Sequence, residues 1–271
     1  NYSTAIGYRC ETGNDYGTAI GKETAAFKNS TALGYETLAA HTSTAVGYKT
    51  EAVGIGTFAE GSGSIAVGNY SVAMGNGTSA SGDYAFTMGD STEASGNYSI
   101  AIGNNSAASG VASIAMGDNV QAIGNNSIVM GFNSIANAVG SIAMGDYTEA
   151  IGDYSVAMGT NSTASDVASI AMGYHTQAIG MGTFAEGSGT MAVGSFSVAM
   201  GGETRAQGNY TTATGFNLTV HKPQTLGNGG DIYGEELYSK QLDISSSSSS
   251  TVTTGLLSDL SNLHIYNSAI G

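Results

Sequence analysis

The chain is 271 residues long and carries 21 acidic against 7 basic residues, a formal net charge of −14, so nucleic acid is not an expected partner. Its one cysteine, Cys10, excludes an intrachain disulfide framework and makes no metal site by itself. No apolar run reaches the roughly 18 residues that a membrane-spanning helix needs.

The chain opens inside a repeat, Asn1-Tyr2-Ser3-Thr4-Ala5-Ile6-Gly7, and closes on Asn267-Ser268-Ala269-Ile270-Gly271, which has the form of another repeat start. It therefore reads as a fragment of a longer protein, in which a missing leader or anchor carries no weight. Up to residue 47 the glycines are loosely spaced: Gly7 and Gly21 are 14 apart, whereas Gly21 to Gly34 and Gly34 to Gly47 are steps of 13. From Gly47 to Gly215 the spacing is strict, with 13 glycines at every fourteenth position and no miss. A second set sits half a period away, from Gly54, Gly68 and Gly82 on to Gly208, broken only at Ala138 and Asp166. Such a fixed-period array is a stack of short units.

Each half-period reads Asx-x-Ser/Thr-x-Ala-x-Gly, as in Asn97-Tyr98-Ser99-Ile100-Ala101-Ile102-Gly103. Glycine at every seventh position would cost a helix about 1 kcal/mol each relative to alanine. The apolar residues alternate at i and i+2, the period of a strand. Each half-period is thus predicted to be a strand of roughly five residues closed by a Gly-Asx corner. Glycine there supplies a permissive backbone, and the Asx side chain bonds locally. Two strands and two corners make one turn of an all-β parallel β-solenoid.

Within the strict array, Gly54-Ile55-Gly56-Thr57-Phe58-Ala59-Glu60-Gly61-Ser62-Gly63 recurs as Gly180-Met181-Gly182-Thr183-Phe184-Ala185-Glu186-Gly187-Ser188-Gly189, a block duplication. Beyond Asn217 the pattern stops at the breakers His221-Lys222-Pro223 and Gly227-Asn228-Gly229-Gly230, followed by a serine tract from Ser245 to Ser250. Leu256, Leu257, Leu260 and Leu263 have helix-like spacing, suited to a short cap or to the start of a coiled-coil stalk. The expected organisation is a roll over residues 1–217 and a non-repeat connector, cap or stalk start over 218–271.

The two half-turns of a coil differ. From residue 69 to 173 one strand of each coil has a large apolar pair at its fourth and sixth positions. The pairs are Val72/Met74, Phe86/Met88, Ile100/Ile102, Ile114/Met116, Ile128/Met130, Ile142/Met144, Val156/Met158 and Ile170/Met172. The partner strand is mixed at those positions, with Ser79/Ser81, Glu93/Ser95 and Gln121/Ile123 among its pairs. Both strands largely share Ser or Thr third, Ala fifth and Gly seventh, with Thr87 and Val129 the exceptions at the fifth position over this stretch. Side chains alternate across a strand, so the shared small parity is expected inside and the other outside. The long apolar face left outside exceeds what monomers tolerate, and the chain is expected to be an obligate oligomer with these sheets facing a shared axis. The alternative places the large residues inside, giving an ordinary monomeric solenoid.

Ser71-Val72-Ala73-Met74-Gly75, Ser99-Ile100-Ala101-Ile102-Gly103 and Ser155-Val156-Ala157-Met158-Gly159 resemble the YadA-like head repeats of trimeric autotransporter adhesins. The resemblance covers about four-fifths of the chain. It implies a left-handed parallel β-roll, three chains per head, and display on a surface fibre that binds host matrix or a cell-surface protein or glycan. The segment after the roll departs from the usual neck motif, and similar repeats also occur in viral fibres.

Candidate chemistry is sparse. Gly54-x-Gly56-x-x-Ala59 and Gly75-x-Gly77-x-x-Ala80 match a dinucleotide loop formally, but a glycine-periodic chain generates such matches and no βαβ unit surrounds them. His41, His175, His221 and His264 have no spacing for zinc or a catalytic triad. Asp90, Asp118 and Asp146 share a corner column; they read as Asx caps, with stacked cation ligands the alternative. Asn-x-Ser/Thr sequons such as Asn97-Tyr98-Ser99 follow from the repeat itself. No cofactor, metal or enzymatic activity is expected. Three functions remain: an adhesin head, a structural fibre or sheath subunit that joins end to end, and a binder of ice or another regular lattice. The mixed residues of the polar strand argue against the last.

Overall fold

A computed structural model describes residues 2–13 and 16–221 of the chain. They fall in two compact units, one up to residue 150 and one from residue 151. In the first, strands of five residues alternate with strands of two, as in Val72–Asn76, Ser79–Ala80, Phe86–Asp90 and Glu93–Ala94. Long strands pair in parallel with the long strand of the next coil, Val72 beside Phe86 and Met74 beside Met88. Short strands do likewise, Ser79 beside Glu93. The second unit repeats the pattern, from Val156–Thr160 paired with Ile170–Tyr174 to the short strand Thr219–Val220 beside Arg205 and Ala206. Each unit is an all-β parallel β-solenoid, and the described residues contain no helix. The segment from 222 onward, expected as a connector, cap or stalk start, lies outside the described residues.

The half-turns were expected to hold strands of equal length, and they do not. In the long half-turn the backbone stays extended through the glycine: Gly75 has φ +133 and Gly103 φ +126, and the strand runs on to Asn76 or Asn104. In the short half-turn the chain bends directly after the buried alanine, and Ser81 and Gly82 both donate their N–H to the Ala94 carbonyl (3.0 and 3.2 Å). One seven-residue pattern thus codes two backbones.

The corners also differ from expectation. The residue with φ near +60 is not the periodic glycine, which in the long half-turn has its own positive φ, but the residue two further on: Tyr70, Tyr84 and Tyr98 (φ 58, 58 and 61) at one corner, Asn105 and Asn119 (φ 46 and 54) at the other. Nor is Asx bonding chiefly local. Asn69 N–H donates to Asp83 Oδ1 (2.8 Å) and Asp83 N–H to Asn97 Oδ1 (3.0 Å), so the side chains of one coil hold the backbone of the coil before it. On the other corner Asn76 Nδ2 donates to Asp90 Oδ1 (2.7 Å). Stacking satisfies these groups between coils because each Asx has an identical site one coil away.

The interior is built of the small parity. Ala73, Ala94, Ala101 and Ala108 have no exposed surface, nor do Ser71 and Ser99. This overturns the alternative with large residues inside. Interior hydroxyls reach nearby carbonyls, Ser99 Oγ to Gly96 O at 2.6 Å and Ser106 Oγ to Gly117 O at 2.8 Å. The buried hydroxyls of Thr78 and Thr92 have no such partner, while Val120 fills the equivalent place two coils beyond Thr92 with no exposed surface. Thr92→Val should therefore raise stability by about 1 kcal/mol, since it removes an unpaired buried hydroxyl at constant shape. Thermal unfolding checks this; a lower midpoint would show that the hydroxyl is bonded.

Candidate oligomer interface

In the first unit the large apolar residues stand on the outer face of the long-strand sheet, in two columns running across the strands. One column holds Val72, Phe86, Ile100, Ile114, Ile128 and Ile142; the other holds Met74, Met88, Ile102, Met116, Met130 and Met144. The columns follow from the strict 14-residue register, which sets the apolar positions of neighbouring coils side by side. None of these side chains is buried, and Met88 and Met116 are 41% and 37% exposed. At about 4.8 Å between strands, six coils make an apolar strip roughly 24 Å long. In the second unit Val156, Met158, Ile170 and Met172 stand in the same way on their own sheet.

The sequence reading passed over one feature of these columns. In the first unit Glu60 interrupts the second column, between Val46 and Met74. In the second unit Glu186 does so between Met172 and Met200. The signal was present in the duplicated block, whose Phe-Ala-Glu places a carboxylate where the other coils have Val, Ile, Leu or Met, and Thr214 in the last.

The outer face of the short-strand sheet is mixed by contrast. Glu93, Ser95, Gln121 and Glu149 are exposed there in the first unit, alongside Val67 and Ile123 at 47% and 42% exposed and the half-buried Leu38, Ile65 and Ile135. Aromatic rings line two corners. Tyr70, Tyr84 and Tyr98 stack face to face at 5.2 and 5.1 Å between centroids, and this stacking offsets part of the cost of their left-handed backbone.

At the opposite corner Tyr35 stacks on Tyr48 at 5.1 Å, with the Lys22 ammonium 4.9 Å from the Tyr35 ring. The Lys49 ammonium lies 3.6 Å from the Glu36 carboxylate and over the Tyr48 ring. A hydrogen bond to Glu36 and its charge raise the pKa of Tyr35 above the ordinary tyrosine value, and the Glu36 charge raises that of Lys49. Sequence reasoning missed this corner as well; four of the seven basic residues, Arg9, Lys22, Lys28 and Lys49, lie in the first 49 positions and could have signalled it.

Among the described residues no three His, Cys, Asp or Glu side chains come together as metal ligands. His41 and His175 are exposed at corners, and His221 bonds Gln207 Oε1 at 2.6 Å. His264 lies outside the described residues.

Stacked 14-residue coils with a small-residue interior, one apolar outer sheet and one mixed outer sheet define a class of repeat protein, the parallel β-roll. The family model of the YadA head domain repeat matches residues 39–64, 52–71, 66–90, 94–119, 122–148, 150–176 and 192–217. The chain belongs to this family of adhesin-type heads. No curated protein matches it. Among solved structures it is similar to the collagen-binding domain of the Yersinia adhesin YadA, with 22% identity and a TM-score of 0.42 over 52% of this chain and 74% of that one.

Proposed function

We propose that the chain is the head of an extracellular surface fibre that attaches its bearer to host matrix or to a cell-surface protein or glycan, and that it works as a homotrimer. The observation that carries this reading is the apolar outer sheet. In the first unit it sets twelve large side chains, Val72 to Met144, on a face that the interior does not need. At about 1.5–3 kcal/mol for each such side chain removed from water, closing the face against copies of itself contributes tens of kcal/mol before entropy is counted. Copies of the same chain suit it because every layer meets an identical layer. Three copies is the number that the resemblance to trimeric adhesin heads implies. The short-strand sheets and acidic corners would then face outward, over a long repetitive surface rather than a pocket.

The first experiment is the native mass of the chain by light scattering behind size exclusion. Three chains per particle are expected, and a well-behaved monomer would sink the proposal. Binding to immobilised matrix proteins tests the adhesive part. Collagen comes first because the similar Yersinia domain is a collagen-binding one. Absence of binding across a matrix panel, together with concentration-dependent filament growth, would favour a structural fibre subunit instead. Glu93→Lys, on the exposed short-strand face, should leave the native mass unchanged; its loss would mean that the short-strand sheet takes part in assembly.

A further inference from the structure

Glu60 and Glu186 are the two charged residues in the columns of the long-strand face. The pleat puts Glu60 on the same outer face as Phe58 and Ser62. The side chains facing it from the neighbouring strands are Thr44, Val46 and Tyr48 on one side and Val72, Met74 and Asn76 on the other. Around Glu186 the corresponding residues are Phe184 and Ser188 on its own strand, Ile170, Met172 and Tyr174 before it, and Val198, Met200 and Gly202 after it. The titratable groups in these sets are the Tyr48 and Tyr174 phenols, and neither set contains a cation. The nearest basic side chain along the chain from Tyr48 is Lys49, which is engaged with Glu36. His175, next to Tyr174, packs edge-on against that ring at 4.1 Å. Both glutamates are exposed in the single chain, where water solvates them.

We infer that Glu60 and Glu186 link assembly to protons: they take up protons as the apolar faces close, so that acid strengthens the oligomer and alkali loosens it. The inference rests on the assembly proposed above. Closing the long-strand faces around an axis brings the equivalent carboxylates of the copies toward one another at each of the two layers. Two costs then act on the charged form, loss of water and like charge nearby, and no neighbouring cation offsets them. The neutral acid avoids both. The sign follows directly. The assembled state holds more protons than the separated chains, so association strengthens as pH falls and weakens as it rises. Each proton taken up changes the association constant about tenfold per pH unit in the range where it titrates. The duplicated Phe-Ala-Glu coil supplies one such layer in each unit, so the effect is expected from two places in the chain.

The test is the urea midpoint of oligomer dissociation for the full chain, followed by light scattering from about pH 8 down to about pH 5, a range that ends near where carboxylates ordinarily titrate. Three forms are compared: the unaltered chain, Glu60→Gln/Glu186→Gln, and Glu93→Gln/Glu149→Gln. The last removes the same charge from the short-strand face and so controls for general relief of acidic repulsion. The unaltered chain and the control should gain stability as pH falls. The Glu60→Gln/Glu186→Gln form should be nearly flat and should exceed the unaltered chain at pH 8. A flat profile for the unaltered chain, or an unchanged pH slope in Glu60→Gln/Glu186→Gln, overturns the inference and leaves the assembly standing. A monomer at every pH overturns the assembly and the inference with it.

Discussion

Met116→Asp, and separately Ile142→Asp, should abolish the native oligomer. Met116 lies between Ile102 and Met130 on the outer face, and Ile142 pairs with Ile128 in the neighbouring column. In an assembly closed on these faces each substitution acts once per chain. It forfeits about 1.5–3 kcal/mol of burial per copy and sets unpaired carboxylates among apolar side chains, a change that typically costs about 3–5 kcal/mol more where a buried charge lacks a partner. The interior of a coil is almost entirely Ala, Ser, Thr and Gly, with Val120 and Val129 its largest fully buried apolar side chains, too little apolar bulk to replace that loss. Native mass and far-UV circular dichroism read the outcome together. An undiminished oligomer in both variants would remove the proposed interface, and a stable folded monomer would show that the fold does not depend on it.

Gly103→Ala should be among the most destabilising single changes in the roll, about 3 kcal/mol or more. At φ +126 the backbone is in a region closed to residues with a Cβ, and an added Cβ would stand 1.9 Å from the Gly117 carbonyl oxygen of the next coil. Relief would require that coil to move, and the coil is bonded along its length to the one after. Gly77→Asn is the contrast. Gly77 has φ +60, its Cβ would meet nothing nearer than Ser91 Oγ at 3.9 Å, and Asn105 and Asn119 occupy the same corner column. Its effect should stay within about 0.5 kcal/mol. Thermal unfolding of the two variants checks the pair, and near-equal midpoints would contradict this account of the glycines.

The same geometry explains a detail of the repeat. The glycine set from Gly47 to Gly215 is unbroken, whereas the half-period set is broken at Ala138 and Asp166. In both sets an added Cβ crowds the carbonyl of the following coil, as at Gly103 and Gly110. Only the first set also needs the positive φ of glycine; Gly82, Gly96 and Gly110 do not. Crowding alone can be relieved by a local shift, but a forbidden φ cannot.

By itself the sequence determined the solenoid, its 14-residue coil, and which parity of each strand is large or small, because each is a matter of period and period is a property of one chain. It also marked the candidate interface, since Val72/Met74 and the pairs that follow are greasy in alternate strands only. Neighbouring coils decided the rest. That Gly75 continues a strand while the chain bends at Gly82 shows in the stack, where Ser81 and Gly82 share the Ala94 carbonyl of the next coil. Asp83 holds Asn69 of the coil before, a partner 14 residues away, and a local reading of Asx corners has no access to it. Glu60 is one more charged residue in the sequence; the tertiary structure, by setting it in register between Val46 and Met74, makes it an interruption of an apolar column.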